Sequence, residues 1–432
     1  MSIGSSGTSH TDKQNSLARG LIASIIRLKS AKNIDTFMHS RGVINNTVSV
    51  AILAILVFTI PSGVQSSRPV QVWPTSGWAT STPEEQGMSS TVLEDVYDQV
   101  RNAGEHIRSL IVVRHGFIVA EEYFTPQLYD INTPHILYSV TKSIVSCLIG
   151  IAIDKGFIDN TSQRLIDFFP GRTIANMSVW KEQITLENVL MMRSGFQWNE
   201  DNYNEYNDFF AMRDSDDWAQ YVLDRPMAYE PGSVFYYNSG NSHLLATIIN
   251  VTTGMSPLAF ADEYLFGPLG ITQRFWSTDP QGINFGGSSL ALTPRNMAKF
   301  GLLYLNNGTW DEQQIVSSEW VSSSNHGLAT PYTMTSYGYQ WWIDDYHNWY
   351  SARGYNGQFI YVIPEHDIVI VFTSDNENGP YEYDWFVSGG ILDAITNIYP
   401  EETQDYPLYP WILGSIAVLG IAAIILLIRL RR

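Results

Sequence analysis

The run "FIYVIPEHDIVIVFTSD" at residues 359–375 constrains this chain most. Two apolar runs rich in β-branched and aromatic residues flank a short polar "PEHD", which is the pattern of a β-hairpin. A second pair, "IRSLIVVRHGFIVAEEYF" at 107–124, reads as two short strands around a His115-Gly116 turn. Between the pairs the period is helical. "LYSVTKSIVSCLIGIAIDKGF" is closed by Gly156, and "TLENVLMM" and "DDWAQYVLD" follow. "LTPRNMAKFGLLYLNNG" has Thr293 as a helix N-cap and Pro294 in its first turn. "STVLEDVYDQVRNA", before the first strands, and "DWFVSGGILDAITNIY", after the last, also carry helical spacing. The sheet must therefore be assembled from both ends of the chain, with the middle inserted as a helix-rich lobe. The fold class expected is α+β: an antiparallel sheet flanked by helices, plus a mostly helical lobe.

The charge is unevenly placed. The net value is −18 over 432 residues. Residues 1–41 carry +4 and the last four carry +3, which leaves −25 for residues 42–428. Such a surface repels nucleic acid. Two apolar segments separate the basic ends from the acidic middle: "VSVAILAILVFTI" at 48–60, and "YPWILGSIAVLGIAAIILLI" at 409–428. The second has about 20 uncharged residues, a span's length, with Tyr406, Tyr409 and Trp411 at its leading edge and Arg429, Arg431 and Arg432 behind. Positive flanks stay cytoplasmic. The expected plan is a basic cytoplasmic tail over 1–42, a transmembrane segment or signal anchor over 43–63 and a linker over 64–80. A domain over 81–405, a transmembrane helix over 406–428 and a cytoplasmic tail over 429–432 complete it. The partner implied is the cell membrane, with the domain on its extracytoplasmic side. One cysteine, Cys147, excludes an internal disulfide framework.

Three motifs carry chemistry. Ser139 and Lys142, in "YSVTK", are three apart and share a helix face. The apolar run after them buries the helix, and a buried lysine loses its proton more readily. It can then take the proton of the serine. Free N–H groups at the helix N-terminus can stabilise an oxyanion. In "EPGSVFYYNSGNSHLL", Tyr236 and Asn238 stand two apart before a helix that starts near Ser239. A phenol can relay a proton, and an amide can hold a carbonyl or orient a lysine. In "YSARGYNGQFIYV", Gly354 and Gly357 open a strand hairpin, where small residues allow close backbone approach by a substrate. Each motif alone is a chance pattern or a turn.

The three in this order form the signature of the serine β-lactamase and penicillin-binding-protein superfamily, which residues 80–398 resemble. "ITLENVLMMRSGFQWNE" and "GYQWWI" also match, and the wording is most similar to the class C β-lactamase, esterase and 6-aminohexanoate-dimer hydrolase branch. The resemblance implies Ser139 as acylated nucleophile and Lys142 as its base. Tyr236 would be the proton shuttle to the leaving group, and Asn238 the residue that positions Lys142 and substrate. The N–H groups of Ser139 and Tyr355, just after Gly354, would form the oxyanion hole. It implies an esterase or amidase acting on small ester, amide or peptide substrates through an acyl-enzyme. The alternatives are a penicillin-recognising receptor that does not turn over, and a D-amino-acid peptidase or β-lactamase. The family's cation two residues before the glycine is replaced by Ala352, which disfavours β-lactams unless Arg353 stands in for it. No cofactor is implied: H-E-x-x-H and Gly-rich nucleotide loops are absent from the sequence.

Overall fold

The computed structural model describes residues 72–102, 106–203, 205–330, 335–376 and 383–396. Both expected membrane segments and both basic ends lie outside them.

The hairpin-forming runs build one antiparallel sheet. Its strands are β1 (Ile107–Arg114), β2 (Phe117–Tyr123), β3 (Leu328–Ala329), β4 (Thr335–Tyr337), β5 (Trp342–Asp344), β6 (Trp349–Gly354), β7 (Gln358–Ile363) and β8 (Ile368–Ser374). Their order is β2-β1-β8-β7-β6-β5-β4-β3. The N-terminal pair thus joins the C-terminal set through β1 and β8, with Ile111 opposite Val371. His115 and Gly116 turn β1 into β2 with φ of 51° and 83°, the two positive values that a two-residue type I′ hairpin demands.

Strand alternation gives the sheet two apolar faces. Val113, Ala352, Ile360, Val362, Val369 and Val371 point to one side. There they meet α2 (Val140–Asp154) and α4 (Pro294–Leu305), with α3 (Ser239–Thr253) and the short lobe helices beyond. Leu110, Val112, Phe359, Tyr361, Ile370 and Phe372 point to the other, against α1 (Ser90–Asn102) and Tyr383, Phe386 and Ile391. Gly301 of α4 lies so close to the sheet that an added Cβ would sit 2.5 Å from Val369 Cγ1. The α+β architecture inferred from the two ends of the sequence is therefore the one formed.

Two expectations change. Part of the expected 64–80 linker is folded structure. The Trp73 ring lies 5.2 Å from that of Trp310, Trp310 Nε1 donates to Thr75 Oγ1, and Thr80 bridges Ile118. Tryptophan bodies pack wherever apolar area is offered, whatever Pro and Ser stand beside them. The closing helix is also broken. Asp384–Phe386 gives way to a wide turn over Val387–Ile391, and Ile395 pairs with Met88. Gly389 and Gly390 disfavour a regular helix, and Gly390 lets Val96 approach to where a Cβ would meet it at 2.9 Å.

Among the described residues no single helix is long and apolar enough to cross a membrane. The bent pair Ser239–Thr253 and Pro257–Phe266 has the composition, but residues such as Leu244, Ile248 and Phe260 are fully buried in the core.

Candidate active site

The nucleophile turn is built by one unusual backbone angle. Tyr138 has φ 46°, a left-handed conformation that is strained for a residue with a bulky side chain. It swings the chain out of the short strand His135–Ile136 and into α2, leaving Ser139 at the N-cap position. The next three amides turn back to the carbonyls of Leu137, Tyr138 and Ser139; among the described residues no backbone carbonyl takes the Ser139 N–H itself.

Lys142 sits one turn along α2 and is 1% exposed. Its Nζ lies 2.9 Å from Ser139 Oγ, 3.0 Å from Ser239 Oγ and 2.7 Å from the carbonyl of Gly287. Burial pushes its pKa down from the usual lysine range to about 8, against a smaller opposing pull from Glu200. A depressed pKa alone does not make a base. Lys181 is also pushed down to about 8 by burial, yet its amine meets the carbonyls of Ala175 and Leu223 rather than a hydroxyl.

The second motif is present one residue out of the expected register. Asn238 is not turned toward Lys142. Its side chain accepts from Asn241 N at 3.0 Å and caps α3, which is what an Asn ahead of a helix does. Tyr236 OH donates to Asp201 Oδ2 at 2.8 Å. The residues brought to the lysine are Tyr237, whose ring centre lies 4.9 Å from Nζ, and Ser239. Trp342 stacks on Tyr237 at 6.0 Å and 20° and holds its ring in place.

At the third motif the close approach at Gly354 is made by the chain itself. Gly354 ends β6, and an added Cβ there would lie 2.3 Å from the Leu137 carbonyl oxygen. This contact brings the backbone of the strand end, and Tyr355 after it, against the nucleophile turn. Tyr355 is 39% exposed, and its ring meets Tyr138 at 5.6 Å and Tyr203 at 5.9 Å. Arg353 does not replace the missing cation. Ala352 lies on the α2 face of β6, so Arg353 points through the opposite face, where it donates to Ser351 Oγ at 2.8 Å and lies 3.5 Å from Asp384.

One residue of the site carries no motif. Glu200 is 6% exposed, and its carboxylate accepts from Trp198 Nε1, Ser239 N, Ser239 Oγ and Tyr203 OH. Its signal in the sequence was only its place after the tryptophan of "FQWNE".

The family model described as Beta-lactamase matches residues 100–387, two thirds of the chain. The chain belongs to the Beta-lactamase family. It is similar to a 6-aminohexanoate-dimer hydrolase of Paenarthrobacter ureafaciens, 27% identical over 61% of this chain and 71% of the relative. Its fold is that of a Bacillus anthracis protein provisionally named as a 6-aminohexanoate-dimer hydrolase. The TM-score is 0.62 at 24% identity, covering 75% of this chain and 89% of the other. A family VIII carboxylesterase shares it too, with TM-score 0.55 and 13% identity over 70% and 94%. As a Beta-lactamase family member the protein is a serine hydrolase: a hydroxyl and a buried amine in contact at a helix start can cycle a proton between nucleophile and leaving group. Among the described residues no group of three or more His, Cys, Asp or Glu could hold a metal ion.

Proposed function

We propose that the protein hydrolyses small ester or amide substrates through an acyl-enzyme on Ser139. The observation that carries this is the 2.9 Å contact between Ser139 Oγ and a lysine that burial makes a base near neutral pH. Lys142 takes the Ser139 proton as Oγ adds to the substrate carbonyl. The N–H groups of Ser139 and Tyr355 receive the oxyanion. The proton then passes through Lys142 and Tyr237 to the leaving alcohol or amine as the scissile bond breaks. Water repeats the cycle on the acyl-enzyme and releases the acid. The phenols of Tyr138, Tyr203 and Tyr355 favour an apolar or aromatic group at the mouth. With Ala352 at the cation's position and Arg353 on the other face, substrates without a carboxylate beside the scissile bond fit best.

The apolar segments at 48–60 and 409–428 support anchoring in the cell membrane with the hydrolase domain, residues 81–405, outside. The decisive experiment is fluorophosphonate labelling of the full chain in membranes, mapped by peptide, with p-nitrophenyl butyrate turnover alongside. Label and turnover both lost in Ser139→Ala support the reading. A wild-type chain inert to both probes defeats it, and a burst without turnover assigns a receptor. Protection of the domain from protease in right-side-out vesicles would reverse the orientation.

A further inference from the structure

We propose that Glu200 is a positioning residue that aims the lone pair of Lys142 at Ser139. The inference rests on the reading of Ser139 and Lys142 given above.

The reasoning is a count of hydrogens. Lys142 Nζ faces three oxygens: Ser139 Oγ, Ser239 Oγ and Gly287 O. As an ammonium it has three N–H donors, one for each. As the neutral amine it has two N–H groups and one lone pair, so one of the three contacts must reverse. Gly287 O is a carbonyl and can only accept. Ser239 has a single hydroxyl hydrogen, and that hydrogen is directed to Glu200 Oε1. Ser239 Oγ therefore also accepts from the lysine. The contact left to reverse is Ser139 Oγ, which donates its O–H to the lone pair. When Oγ attacks, its proton moves to Nζ and the three-donor ammonium is restored, so the bonds to Ser239 and Gly287 need not rearrange. Without Glu200 the Ser239 hydroxyl would be free to turn its hydrogen onto the lone pair and compete with the nucleophile.

The carboxylate is built for this. One oxygen takes the N–H groups of Ser239 and the Trp198 indole, and the other takes the hydroxyls of Ser239 and Tyr203. A glutamine cannot reproduce the pattern. In one orientation its NH₂ faces two N–H donors. In the other it donates to Ser239 Oγ and releases the competing hydrogen. Glu200 is also the charge that opposes the fall in the Lys142 pKa. Of the other titratable groups near the pair, Asp201 accepts from Tyr236 OH, and three are phenols. Tyr237 lies under the lysine, and Tyr203 and Tyr337 face Glu200 with pKa values raised chiefly by burial.

The test is the second-order rate of fluorophosphonate labelling at Ser139 against pH, in the full chain, after the wild type and Ser139→Ala have fixed the labelled residue. Glu200→Gln is expected to lower the plateau at least tenfold and to move the acid limb to lower pH, because the charge that favours protonated Lys142 is gone. Glu200→Gln/Ser239→Ala is expected to label faster than Glu200→Gln, since the competing hydroxyl has been removed. A merely structural glutamate would not be rescued by a second deletion. If thermal melting shows Glu200→Gln unfolded, Glu200→Asp serves: the charge stays, so the limb should hold while the shortened side chain lowers the plateau. A plateau within twofold of wild type in the folded variant, an unmoved limb in Glu200→Gln, or no rescue overturns the proposal. A wild-type chain that does not label overturns the hydrolase reading instead.

Discussion

Gly354→Ala is the sharpest probe of how the site is assembled. Gly354 has no positive φ to lose, so alanine suits its backbone, and only the close approach is at stake. The new Cβ would lie 2.3 Å from Leu137 O. Carbon–oxygen contacts settle near 3.3 Å, so about 1 Å of separation must open. Leu137 cannot yield, because it is fully buried and its N–H is bonded to Leu290 O at 2.8 Å. The strand end must move instead, though Gly354 is paired with Gln358 across the hairpin. Tyr355 N–H then withdraws from the oxyanion position. A misplacement of ~1 Å costs roughly 10²-fold, and loss of an oxyanion donor roughly 10²–10³-fold. We expect the p-nitrophenyl butyrate kcat/KM to fall by that factor, about 2.7–4 kcal/mol in the barrier. The Ser139–Lys142 contact lies on the other side of the gap, so the acid limb of the pH profile should stay in place. A folded Gly354→Ala variant that keeps its rate within threefold would refute the close approach as the reason for glycine and Tyr355 N–H as a donor.

Tyr237→Phe should lower kcat by about 10²–10⁴, the usual worth of a general acid–base group. Tyr236→Phe, which keeps the ring and removes a hydroxyl that donates to Asp201, should stay within about twofold; steady-state kinetics on the pair decides between the two registers. kcat/KM should rise about tenfold per pH unit up to about 8 and then level, because protonated Lys142 cannot accept the serine proton and the neutral amine can; a limb centred below 6 would refute Lys142 as the base. Asn238→Ala should cost about 1 kcal/mol of stability by uncapping α3, read as a lower melting temperature with activity retained.

The fold was legible because strand pairs at both ends of a chain leave few ways to close a sheet. The first and third motifs were legible because each is fixed by local geometry: a three-residue step on a helix, and a glycine where two backbones touch. The second was not, because "YYNSG" offers two registers. Tyr236 with Asn238 and Tyr237 with Ser239 have the same spacing, and only the direction of the first turn of α3 separates them. A clue was present. An asparagine directly before a helix that starts at Ser239 is best used as its cap, and its Oδ1 is then directed at the Asn241 N–H. Glu200 was illegible for a different reason. Its partners Ser239 and Tyr203 lie 39 and 3 residues away, and what it does depends on where one hydroxyl hydrogen points, which spacing does not encode.

The same strand logic bears on substrate charge. Successive residues of β6 alternate between the α2 face and the α1 face. A cation that serves the site must stand on the α2 face, at position 352 or an even number of residues from it. Arg353 is adjacent in sequence and on the wrong side of the sheet, tied to Ser351 and facing Asp384. No rotamer takes a side chain through a sheet of paired strands, so the neighbouring arginine cannot compensate for Ala352. The aromatic side chains at the mouth and the carboxylates of Glu200 and Asp201 then set the local preference. Glu200 is spent on Ser239, whereas Asp201 is exposed and engaged by Tyr236. On the proposed mechanism, the register of one strand, more than the acidity of the whole domain, therefore works against a substrate carboxylate next to the reacting carbonyl.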